Sequence, residues 1–349
     1  MLTRYLMPKL LIMAGGTGGH IFPALAVADA LTKKNWEIAW LGTADRMEAK
    51  IVPKHNIPFY PIVVKGLRGN GLLRAVAAPF MLIRSVWQAF RIINKVKPDV
   101  MLGMGGYASG PGGVAGYLYG LPLVLHEQNA VFGMTNRWLS RIAKHTLTGF
   151  DFGSSRYRYV GNPVREDFWQ IPPLQTPLQN NILIVGGSLG AQVLNTEVPS
   201  ILRNLKVGKV THQTGKNNVE AVTKAYANMP DVTVCEFIDE MSNAFAEHDI
   251  VICRAGALTV AEVAAAGRVA IFVPYPHAVD NHQYQNAQSL TLAGASATLL
   301  QSNIQDLGTV LQNLLNDPTF TMQMGHKAKT FASPNSVDNI CSVLEEVVT

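Results

Sequence analysis

One local pattern occurs three times in this chain, and it constrains the fold more than any other feature. An apolar run leads into a glycine-rich turn and then into a segment rich in small residues, at residues 10–28, 98–113 and 181–191. The run predicts a buried strand, the turn a tight bend of the backbone, and the last segment a helix. Repetition of strand, turn and helix is typical of an α/β fold with parallel strands.

The third copy of the pattern begins a second domain. It follows a proline-rich stretch at residues 172–177, and the chain of 349 residues is long enough for two domains. We expect two doubly wound Rossmann-like domains whose parallel sheets face each other across a cleft, which is a preferred place for ligands. The expected limits are 1–162 and 163–333, and residues 334–349 are expected to form a helix that docks back on the N-terminal domain.

The glycine-rich turns are candidate binding sites for anions. Each turn leaves backbone N–H groups at the start of a helix, where the helix dipole favours negative charge. Ligands of open α/β sheets bind outside the carboxyl ends of the strands, so residues 15–20, 105–107 and 127–129 are expected at one edge of the first sheet. His20 titrates near neutral pH and serves catalysis in one interpretation, whereas it caps its helix in the other. Residues 127–129 are a ligand contact in one interpretation and an ordinary capping turn in the other.

The second half of the chain carries residue types that a nucleotide and a sugar require. At the start of a helix-like segment, Thr259 offers a hydroxyl to phosphate and Glu262 can accept hydrogen bonds from a ribose diol. The run of amides and hydroxyls at residues 280–286 suits a sugar better than a charge. In the alternative interpretation Glu262 interacts only with the helix dipole, and His282 and Asn286 only satisfy nearby backbone groups.

The two halves of the chain carry opposite charge. Residues 1–161 contain 19 Lys and Arg against 7 Asp and Glu, whereas residues 162–349 contain 10 against 17. Within the basic half, residues 50–98 hold nine basic side chains and no acidic one. A basic surface of this kind indicates an anionic partner, such as nucleic acid, a lipid head group or a phosphorylated substrate.

The acid-free segment also contains more apolar residues than one buried helix face needs. Residues 65–97 either form two helices that pack on the sheet, with solvated arginines, or present an interfacial surface to a membrane. In the second case apolar side chains enter the bilayer and arginines meet anionic lipid, which the lack of acidic residues favours. The candidate membrane residues are Leu72, Leu73, Arg74, Phe80, Arg84, Trp87 and Arg91.

Composition excludes several classes of protein. With 48% hydrophobic and 15% charged residues, the chain is neither disordered nor of low complexity. No window reaches the roughly 18 uninterrupted apolar residues of a membrane span, and the first residues lack a signal-peptide pattern, so a cytoplasmic protein is expected. The three cysteines are far apart and show no spacing typical of metal ligands.

Seven short motifs stand out along the chain. They are Gly15-Gly16-Thr17-Gly18-Gly19-His20, Met104-Gly105-Gly106-Tyr107, His126-Glu127-Gln128-Asn129, Val160-Gly161-Asn162-Pro163-Val164-Arg165, Gly186-Gly187-Ser188-Leu189-Gly190-Ala191, Arg254-Ala255-Gly256-Ala257-Leu258-Thr259 and His282-Gln283. One glycine-rich loop would be weak evidence, because many nucleotide-binding folds contain one. Together, and in this order, the seven motifs resemble those of the MurG family, the bacterial N-acetylglucosaminyltransferases of peptidoglycan synthesis, which have the GT-B glycosyltransferase fold. The resemblance covers essentially the whole chain.

The resemblance implies an enzyme that transfers GlcNAc from UDP-GlcNAc to the C4 hydroxyl of MurNAc-pentapeptide on undecaprenyl diphosphate. This reaction converts lipid I into lipid II with inversion at the transferred sugar. The implied location is peripheral, at the cytoplasmic face of the bacterial inner membrane. The implied partners are UDP-GlcNAc, lipid I, anionic phospholipid of the inner leaflet and other proteins of cell-wall synthesis and cell division, and not nucleic acid. No cofactor or metal is expected, because the chain lacks the Asp-x-Asp motif that holds a metal and diphosphate in the other large glycosyltransferase fold.

The resemblance also implies roles for individual residues, with His20 as the catalytic base. The acceptor and its diphosphate are expected at Gly15, Gly16, Gly105, Gly106, Tyr107 and Glu127. The donor is expected at Thr17, Gly18, Gly19, Asn129, Arg165, Ser188, Phe237, Ile238, Met241, Arg254, Ala257, Leu258, Thr259, Glu262, Gln283 and Asn286. Within this set, uracil is expected beside Phe237 and Ile238, and ribose on Glu262.

Three alternatives explain fewer of these features. A nicotinamide-dependent oxidoreductase would need G-x-G-x-x-G spacing, which residues 15–19 lack. A UDP-GlcNAc 2-epimerase of the same fold has no reason for a basic, apolar region without acids. A membrane-surface binding protein without catalysis leaves His20, Asn129 and the polar run at residues 280–286 unexplained.

Overall fold

The chain folds into two units, each built around one parallel sheet. The computed structural model describes residues 7–64, 72–187 and 189–349, with residues 72–78 described by their backbone alone. One unit comprises Met1–Pro163 together with Asn335–Thr349, and the other comprises Val164–Pro334. The C-terminal residues therefore belong to the first unit.

A seven-stranded sheet forms the centre of the first unit. Its strands are β1 (Lys9–Ala14), β2 (Glu37–Thr43), β3 (Phe59–Ile62), β4 (Val100–Gly105), β5 (Leu123–Glu127), β6 (His145–Thr148) and β7 (Arg158–Tyr159). Their order is β3-β2-β1-β4-β5-β6-β7, and neighbouring strands are parallel. The helices of this unit are α1 (Gly18–Lys33), α2 (Glu48–Ile51), α3 (Leu72–Val96), α4 (Ser109–Tyr119), α5 (Met134–Leu139) and, from the C-terminus, α14 (Ser336–Val348), with a 3₁₀ turn at Val52–His55.

Helices cover both faces of this sheet because the residues of β1 alternate between two cores. Leu10 and Ile12 pack into one hydrophobic cluster with residues of α1 and α14. Leu11 and Met13 pack into the other cluster with residues of α3 and α4. The C-terminal helix α14 thus completes one face of the first sheet.

A six-stranded sheet forms the centre of the second unit. Its strands are β8 (Ile182–Val185), β9 (Val210–Gln213), β10 (Val232–Cys235), β11 (Ile250–Cys253), β12 (Val269–Phe272) and β13 (Ser296–Thr298), in the order β10-β9-β8-β11-β12-β13. Neighbouring strands are again parallel. The helices are α6 (Glu166–Trp169), α7 (Gln192–Leu202), α8 (Val219–Ala225), α9 (Met241–Glu247), α10 (Ala257–Ala266), α11 (His282–Leu292), α12 (Leu307–Asn316) and α13 (Pro318–Phe331), with 3₁₀ turns at Val279–Asn281 and Gln301–Asp306.

The two sheets share one strand order. In each, the first strand is central, the next two strands lie on one side, and the later strands lie on the other. This is the order of a doubly wound fold, and it confirms the α/β class that the repeated pattern predicts. Because all strands of a sheet are parallel, their carboxyl ends lie at one edge, where the predicted site residues follow.

The last strand of the first sheet, β7, is only two residues long. The chain leaves the sheet after it, because Gly161 has a positive φ of 83° and Pro163 has no N–H to donate to a neighbouring strand. Residues 72–96 form the single helix α3 with Pro79 inside it, rather than two helices, and residues 65–71 lie outside the described residues. In the described parts of the chain, no helix is both long enough and apolar enough to cross a membrane.

Candidate active site

The first group of predicted residues gathers at the carboxyl edge of the seven-stranded sheet. Residues 15–20, which form the turn after β1 and the start of α1, follow β1, while β4 ends at Gly105 and β5 ends at Glu127. These three strands are neighbours in the sheet, so their ends lie side by side, as predicted. We call residues 15–20, 105–107 and 127–129 the N-terminal group.

The imidazole of His20 lies against the turn that precedes its helix. Its Nδ1 is 3.2 Å from the carbonyl oxygen of Gly15 and 3.5 Å from the hydroxyl of Thr17. A carbonyl only accepts, so the bond to Gly15 requires that Nδ1 carries the hydrogen. In neutral His20 the basic lone pair is then on Nε2, the nitrogen that could accept a proton from a substrate.

Two glycines let the end of β4 approach His20 closely. Gly105 and Gly106 have positive φ values of 98° and 89°. A Cβ atom at Gly105 would lie 2.9 Å from Cδ2 and 3.0 Å from Nε2 of His20, and one at Gly106 would overlap the backbone of Gly15. Larger residues at either position would therefore displace the histidine or its turn.

Glu127 holds the loop that follows β5. Its buried carboxylate accepts hydrogen bonds from the backbone N–H of Asn129 (3.0 Å), the side chain of Asn129 (3.1 Å), the backbone N–H of Gly133 (3.1 Å) and the side chain of Asn136 (3.0 Å). These four donors account for most of the accepting capacity of a carboxylate. In this structure Glu127 positions Asn129, and its predicted contact with the acceptor remains a prediction.

Sequence reasoning missed Asn136. Its side chain is buried in the short helix α5 and donates to Glu127 and to the carbonyl of His126. The sequence around Asn136 shows only that a short helix contains an amide side chain. It does not indicate that this amide contacts Glu127, nine positions earlier.

The other residues of the motif at 126–129 join β5 to neighbouring segments. Nε2 of His126 donates to the carbonyl of Gly161 at 2.9 Å, and burial lowers the pKa of this histidine to about 4. Gln128 donates to the carbonyl of Met104, and Asn162 donates to the carbonyl of Gln128. The conformation of the N-terminal group therefore depends on buried amides as well as on glycines.

The start of α1 and the end of β4 supply the remaining residues of the N-terminal group. Thr17 is the N-cap residue in an extended conformation, and Gly18 and Gly19 are the first residues of α1. Backbone N–H groups at such a start lack partners within the helix and suit an anion. Tyr107 is exposed, and the guanidinium of Arg46 lies 5.4 Å from the centre of its ring.

The second group of predicted residues gathers at the carboxyl edge of the six-stranded sheet. The glycine turn follows β8, Phe237 follows β10, α10 follows β11, and α11 follows β12. We call the predicted donor residues from Arg165 to Asn286 the C-terminal group. Ser188, one of its members, lies outside the described residues.

The turn after β8 is fixed by an amide that sequence reasoning also missed. Oε1 of Gln213 accepts from the N–H of Gly187 at 3.0 Å, and Nε2 of Gln213 donates to the carbonyl of Gly187 at 3.0 Å. Gln213 is buried at the end of β9, next to β8 in the sheet. Its separation of 26 residues from Gly187 gives no local signal in the sequence.

The first turns of α10 carry the predicted diphosphate and ribose contacts. Gly256 is the N-cap residue, Ala257 is buried, and Leu258 and Thr259 are partly exposed. One turn later, burial raises the pKa of the half-buried Glu262 carboxyl to about 7. The nearby guanidinium of Arg165 opposes this rise in the pKa.

An exposed aromatic side chain follows β10. Phe237 is 57% exposed, and Ile238 and Met241 beside it are partly exposed. A solvent-facing ring and two aliphatic side chains form a surface on which a flat base can stack.

Three predicted donor contacts also have structural partners within the unit. Arg254 donates to the carbonyls of Val273 and Pro274 and to the side chain of Gln301. Oε1 of Gln283 accepts from the N–H of Tyr275, and Nδ2 of Asn286 donates to the carbonyl of Ala255. Asn286 has 0% exposure, so in this structure it holds the segment before α10, and its contact with a sugar stays a prediction.

The predicted membrane residues lie on α3. Phe80 is 73% exposed and Trp87 is 56% exposed, and Arg84 and Arg91 are exposed as well. The guanidinium of Arg91 lies 4.8 Å from the centre of a Trp87 ring. The side chains of Leu72, Leu73 and Arg74 lie outside the described residues. In the parts that the structure describes, no three His, Cys, Asp or Glu side chains are placed to hold a metal ion.

Comparison with known proteins identifies the family. The model of the glycosyltransferase family 28 N-terminal domain matches residues 10–148, and that of the glycosyltransferase family 28 C-terminal domain matches residues 181–340. The chain belongs to glycosyltransferase family 28. Its N-terminal group lies on the first family domain, and the C-terminal group, apart from Arg165, lies on the second.

Relatives of this family 28 chain match it over nearly its whole length. A protein of Pseudoalteromonas atlantica, named UDP-N-acetylglucosamine–N-acetylmuramyl-(pentapeptide) pyrophosphoryl-undecaprenol N-acetylglucosamine transferase, is 50% identical over 97% of this chain and 96% of its own. The protein of the same name from Haemophilus ducreyi is 47% identical over 97% of this chain and 99% of its own. The crystal structure of Acinetobacter baumannii MurG matches with a TM-score of 0.82 and 40% identity, over 97% of this chain and 99% of that one.

These comparisons confirm the resemblance to the MurG family and the GT-B fold that it implies. The chain is a glycosyltransferase, and neither the epimerase nor the oxidoreductase alternative is favoured. The roles of individual residues are not tested by these comparisons and remain predictions.

Proposed function

We propose that this family 28 enzyme transfers GlcNAc from UDP-GlcNAc to the C4 hydroxyl of MurNAc-pentapeptide on undecaprenyl diphosphate, so that lipid I becomes lipid II. The observation that carries the proposal is the extent of the likeness. Relatives whose names state this transfer are 46–50% identical to this chain over at least 96% of its length.

The C-terminal group has the chemistry that UDP-GlcNAc requires. Phe237 and Ile238 offer an exposed surface for uracil, and Glu262 offers a carboxylate for the ribose diol. The first turn of α10, with Arg165 nearby, offers N–H groups, a hydroxyl and a positive charge for the diphosphate. These donors stabilise the negative charge that grows on UDP as it leaves.

The N-terminal group receives the acceptor. The start of α1 and the glycines at the end of β4 offer backbone N–H groups, and Glu127 holds the side chain of Asn129 by a hydrogen bond. His20 takes the proton of the C4 hydroxyl on Nε2, because the bond of its Nδ1 to Gly15 leaves the lone pair there. A base in this role contributes roughly a hundredfold to ten-thousandfold to the rate.

The reaction is one direct displacement with inversion. The C4 oxygen of the acceptor forms a bond to C1 of GlcNAc while the bond from C1 to the diphosphate oxygen breaks. The proton passes to His20, and UDP departs with the electron pair of the broken bond. We propose that no metal or cofactor takes part, on the basis of the missing Asp-x-Asp motif.

The enzyme works at the cytoplasmic face of the inner membrane as a peripheral protein. Support comes from the exposed apolar and basic side chains of α3, which suit the interface of a bilayer with anionic lipid. An acceptor carried on a polyprenyl chain requires such an approach to the membrane. Contacts with anionic phospholipid and with other proteins of cell-wall synthesis and cell division belong to this proposal.

The test is release of UDP. Purified protein, UDP-GlcNAc and a short-chain lipid I analogue are mixed in the presence of a metal chelator, and UDP is measured with a coupled assay. We expect UDP release that depends on the acceptor, and protection of the chain from thermal unfolding by UDP-GlcNAc but less by UDP-glucose or NAD. No UDP release from folded protein with a verified acceptor would refute the transfer.

A further inference from the structure

A buried carboxylate that the proposed mechanism does not use lies beneath the first glycine turn. Glu48, the first residue of α2, is 1% exposed. It accepts hydrogen bonds from the backbone N–H of Thr43 (3.0 Å), the hydroxyl of Thr43 (2.7 Å) and the backbone N–H of Gly16 (3.0 Å). All three groups donate to it, which is the arrangement that an ionised carboxylate requires.

The charge of Glu48 is balanced by dipoles. Within the described residues no ion pair includes this side chain, so the N–H groups and the hydroxyl stabilise it. A buried charge without a counter-ion is unfavourable for folding unless hydrogen bonds satisfy it.

The peptide group that joins Gly15 to Gly16 connects Glu48 with His20. The N–H of this peptide donates to Glu48, and the carbonyl of the same peptide accepts from Nδ1 of His20. A carboxylate at the N–H end polarises the peptide and increases the negative charge on its oxygen. The bond from that oxygen to the imidazole becomes stronger, and more so when the imidazole is positively charged.

We propose that Glu48 is a positioning residue for His20. Through the peptide between Gly15 and Gly16, its carboxylate holds the tautomer with hydrogen on Nδ1 and stabilises the imidazolium that forms when Nε2 takes the acceptor proton. This inference rests on the proposed function for the identity of the proton donor. The relay itself, from carboxylate to peptide to imidazole, rests on the contacts alone.

The second unit provides an internal comparison. Gly187 occupies the corresponding turn after β8, with a positive φ of 83° against 92° for Gly16. Its N–H donates to the neutral side chain of Gln213 at 3.0 Å. Four residues after Gly187 stands Ala191, whereas four residues after Gly16 stands His20. A neutral amide therefore suffices to hold such a turn, and the charged acceptor occurs in the turn that contacts a histidine.

Other ionisable groups near the turn are not part of the relay. Tyr107 follows Gly106 and lies against Arg46, and the carboxylate of Glu127 is held by Asn129, Gly133 and Asn136. These groups stay the same in the variants below, so their influence on His20 cancels in the comparison.

The test compares Glu48→Gln with Thr43→Val. The first variant removes the charge. The second removes one hydrogen bond to Glu48 but keeps its charge and its bond to Gly16. The readout is the pKa of His20, measured by NMR with ¹³C-labelled histidine and assigned by loss of the signal in His20→Ala. We expect the pKa of His20 to fall by about one unit in Glu48→Gln, because this variant lacks the negative charge that stabilises the protonated ring in the wild type. In Thr43→Val the pKa of His20 should stay at the wild-type value.

The same variants separate chemistry from donor binding. In Glu48→Gln we expect kcat at neutral pH to fall about three- to tenfold, the lower limb of kcat against pH to move to lower pH, and the affinity for UDP to stay unchanged. If Glu48→Gln does not fold, Glu48→Asp replaces it, with an intermediate decrease in the pKa because the shorter side chain keeps the charge but withdraws it from Gly16.

A pKa of His20 that does not change in a folded Glu48 variant would overturn the relay. The titration needs no acceptor, so its outcome is independent of UDP release. Absence of transfer by the wild-type protein would refute the proposed function, and an unchanged histidine would refute the role of Glu48.

Discussion

The side chain of Gln213 and the backbone of Gly187 form two hydrogen bonds, one in each direction. The N–H of Gly187 donates to Oε1, and Nε2 donates to the carbonyl of Gly187, each at 3.0 Å. Nε2 also donates to the carbonyl of Glu236 at 2.8 Å. One amide thus joins the turn after β8 to the end of β10, from which Phe237 follows. The predicted contacts for diphosphate and uracil depend on the same side chain.

Gln213→Leu should therefore weaken nucleotide binding. The leucine leaves three backbone groups without their partner, so the turn no longer has one preferred conformation. We expect the Kd for UDP, measured by calorimetry, to rise about tenfold, which corresponds to about 1.4 kcal/mol. Gln192→Leu, at an exposed position at the start of α7, is the control and should bind UDP like the wild type. Equal affinity in both variants would show that the turn does not need Gln213.

Asn136→Ala should destabilise the first unit. The change removes the donor that lies 3.0 Å from Oε2 of Glu127 and leaves a buried carboxylate oxygen with fewer hydrogen bonds. We expect the free energy of unfolding in urea to fall by about 1–3 kcal/mol. Asn339→Ala, at an exposed position of α14, is the matched control, with an expected change of less than about 0.5 kcal/mol. Equal stability of the two variants would contradict the role of Asn136.

The sequence predicts the strands and glycine turns because their signals are local. An apolar run followed by glycines describes β1, β4 and β8. Parallel pairing then places the carboxyl ends of β1 and β4 at one edge of the first sheet, and the carboxyl ends of β8 and β11 at one edge of the second. The C-terminal helix, expected within residues 334–349, is present as α14 (Ser336–Val348) for the same reason, since a proline precedes an amphipathic run.

The supports of the turns are not predictable in this way. Gln213, Asn136 and Glu48 each contact a residue between nine and 32 positions away, and no periodicity connects such pairs. The sequence also does not determine whether a side chain at the predicted site is buried or exposed. The polar Asn286 is fully buried and the apolar Phe237 is exposed, because burial depends on which strands and helices lie next to each residue.

Glu262 should make stability depend on pH. Its pKa in the folded chain is about 7, above the ordinary value of 4.5, because burial disfavours the charged form. Between these values the folded chain keeps a proton that the unfolded chain releases, so the free energy of unfolding falls as pH rises through this window. Glu262→Gln removes this effect. The free energy of unfolding of the variant minus that of the wild type should therefore be larger at about pH 8 than at about pH 5.

The expected gain is about 1 kcal/mol, less than the full shift would give, because Glu262 keeps partial contact with water. Urea unfolding at both pH values measures it. Glu247→Gln is the control with the opposite sign, since the hydrogen bond from Lys209 lowers the pKa of Glu247. That variant should lose stability by the same amount at both pH values, because a carboxyl with a lowered pKa is already charged and paired at about pH 5. A gain of equal size in both variants would exclude a specific effect at Glu262.

The exposed face of α3 should bind membranes through charge as well as apolar contact. Arg84 and Arg91 lie beside the exposed rings of Phe80 and Trp87, so that cations and apolar groups can meet the lipid surface together. Each basic residue near an anionic surface contributes about 1 kcal/mol, so Arg84→Gln with Arg91→Gln should lower the membrane partition coefficient about thirtyfold.

Flotation with vesicles that contain phosphatidylglycerol measures this partition. The control replaces Lys206 and Lys216, exposed residues of the second unit, by glutamine, and it should float like the wild type although the net charge changes equally. Added salt should reduce flotation of the wild type more than that of the arginine variant, because fewer charges remain to be screened in the variant. Equal flotation with vesicles of neutral lipid alone would show that apolar contact is sufficient, and the arginines would then have no part in binding.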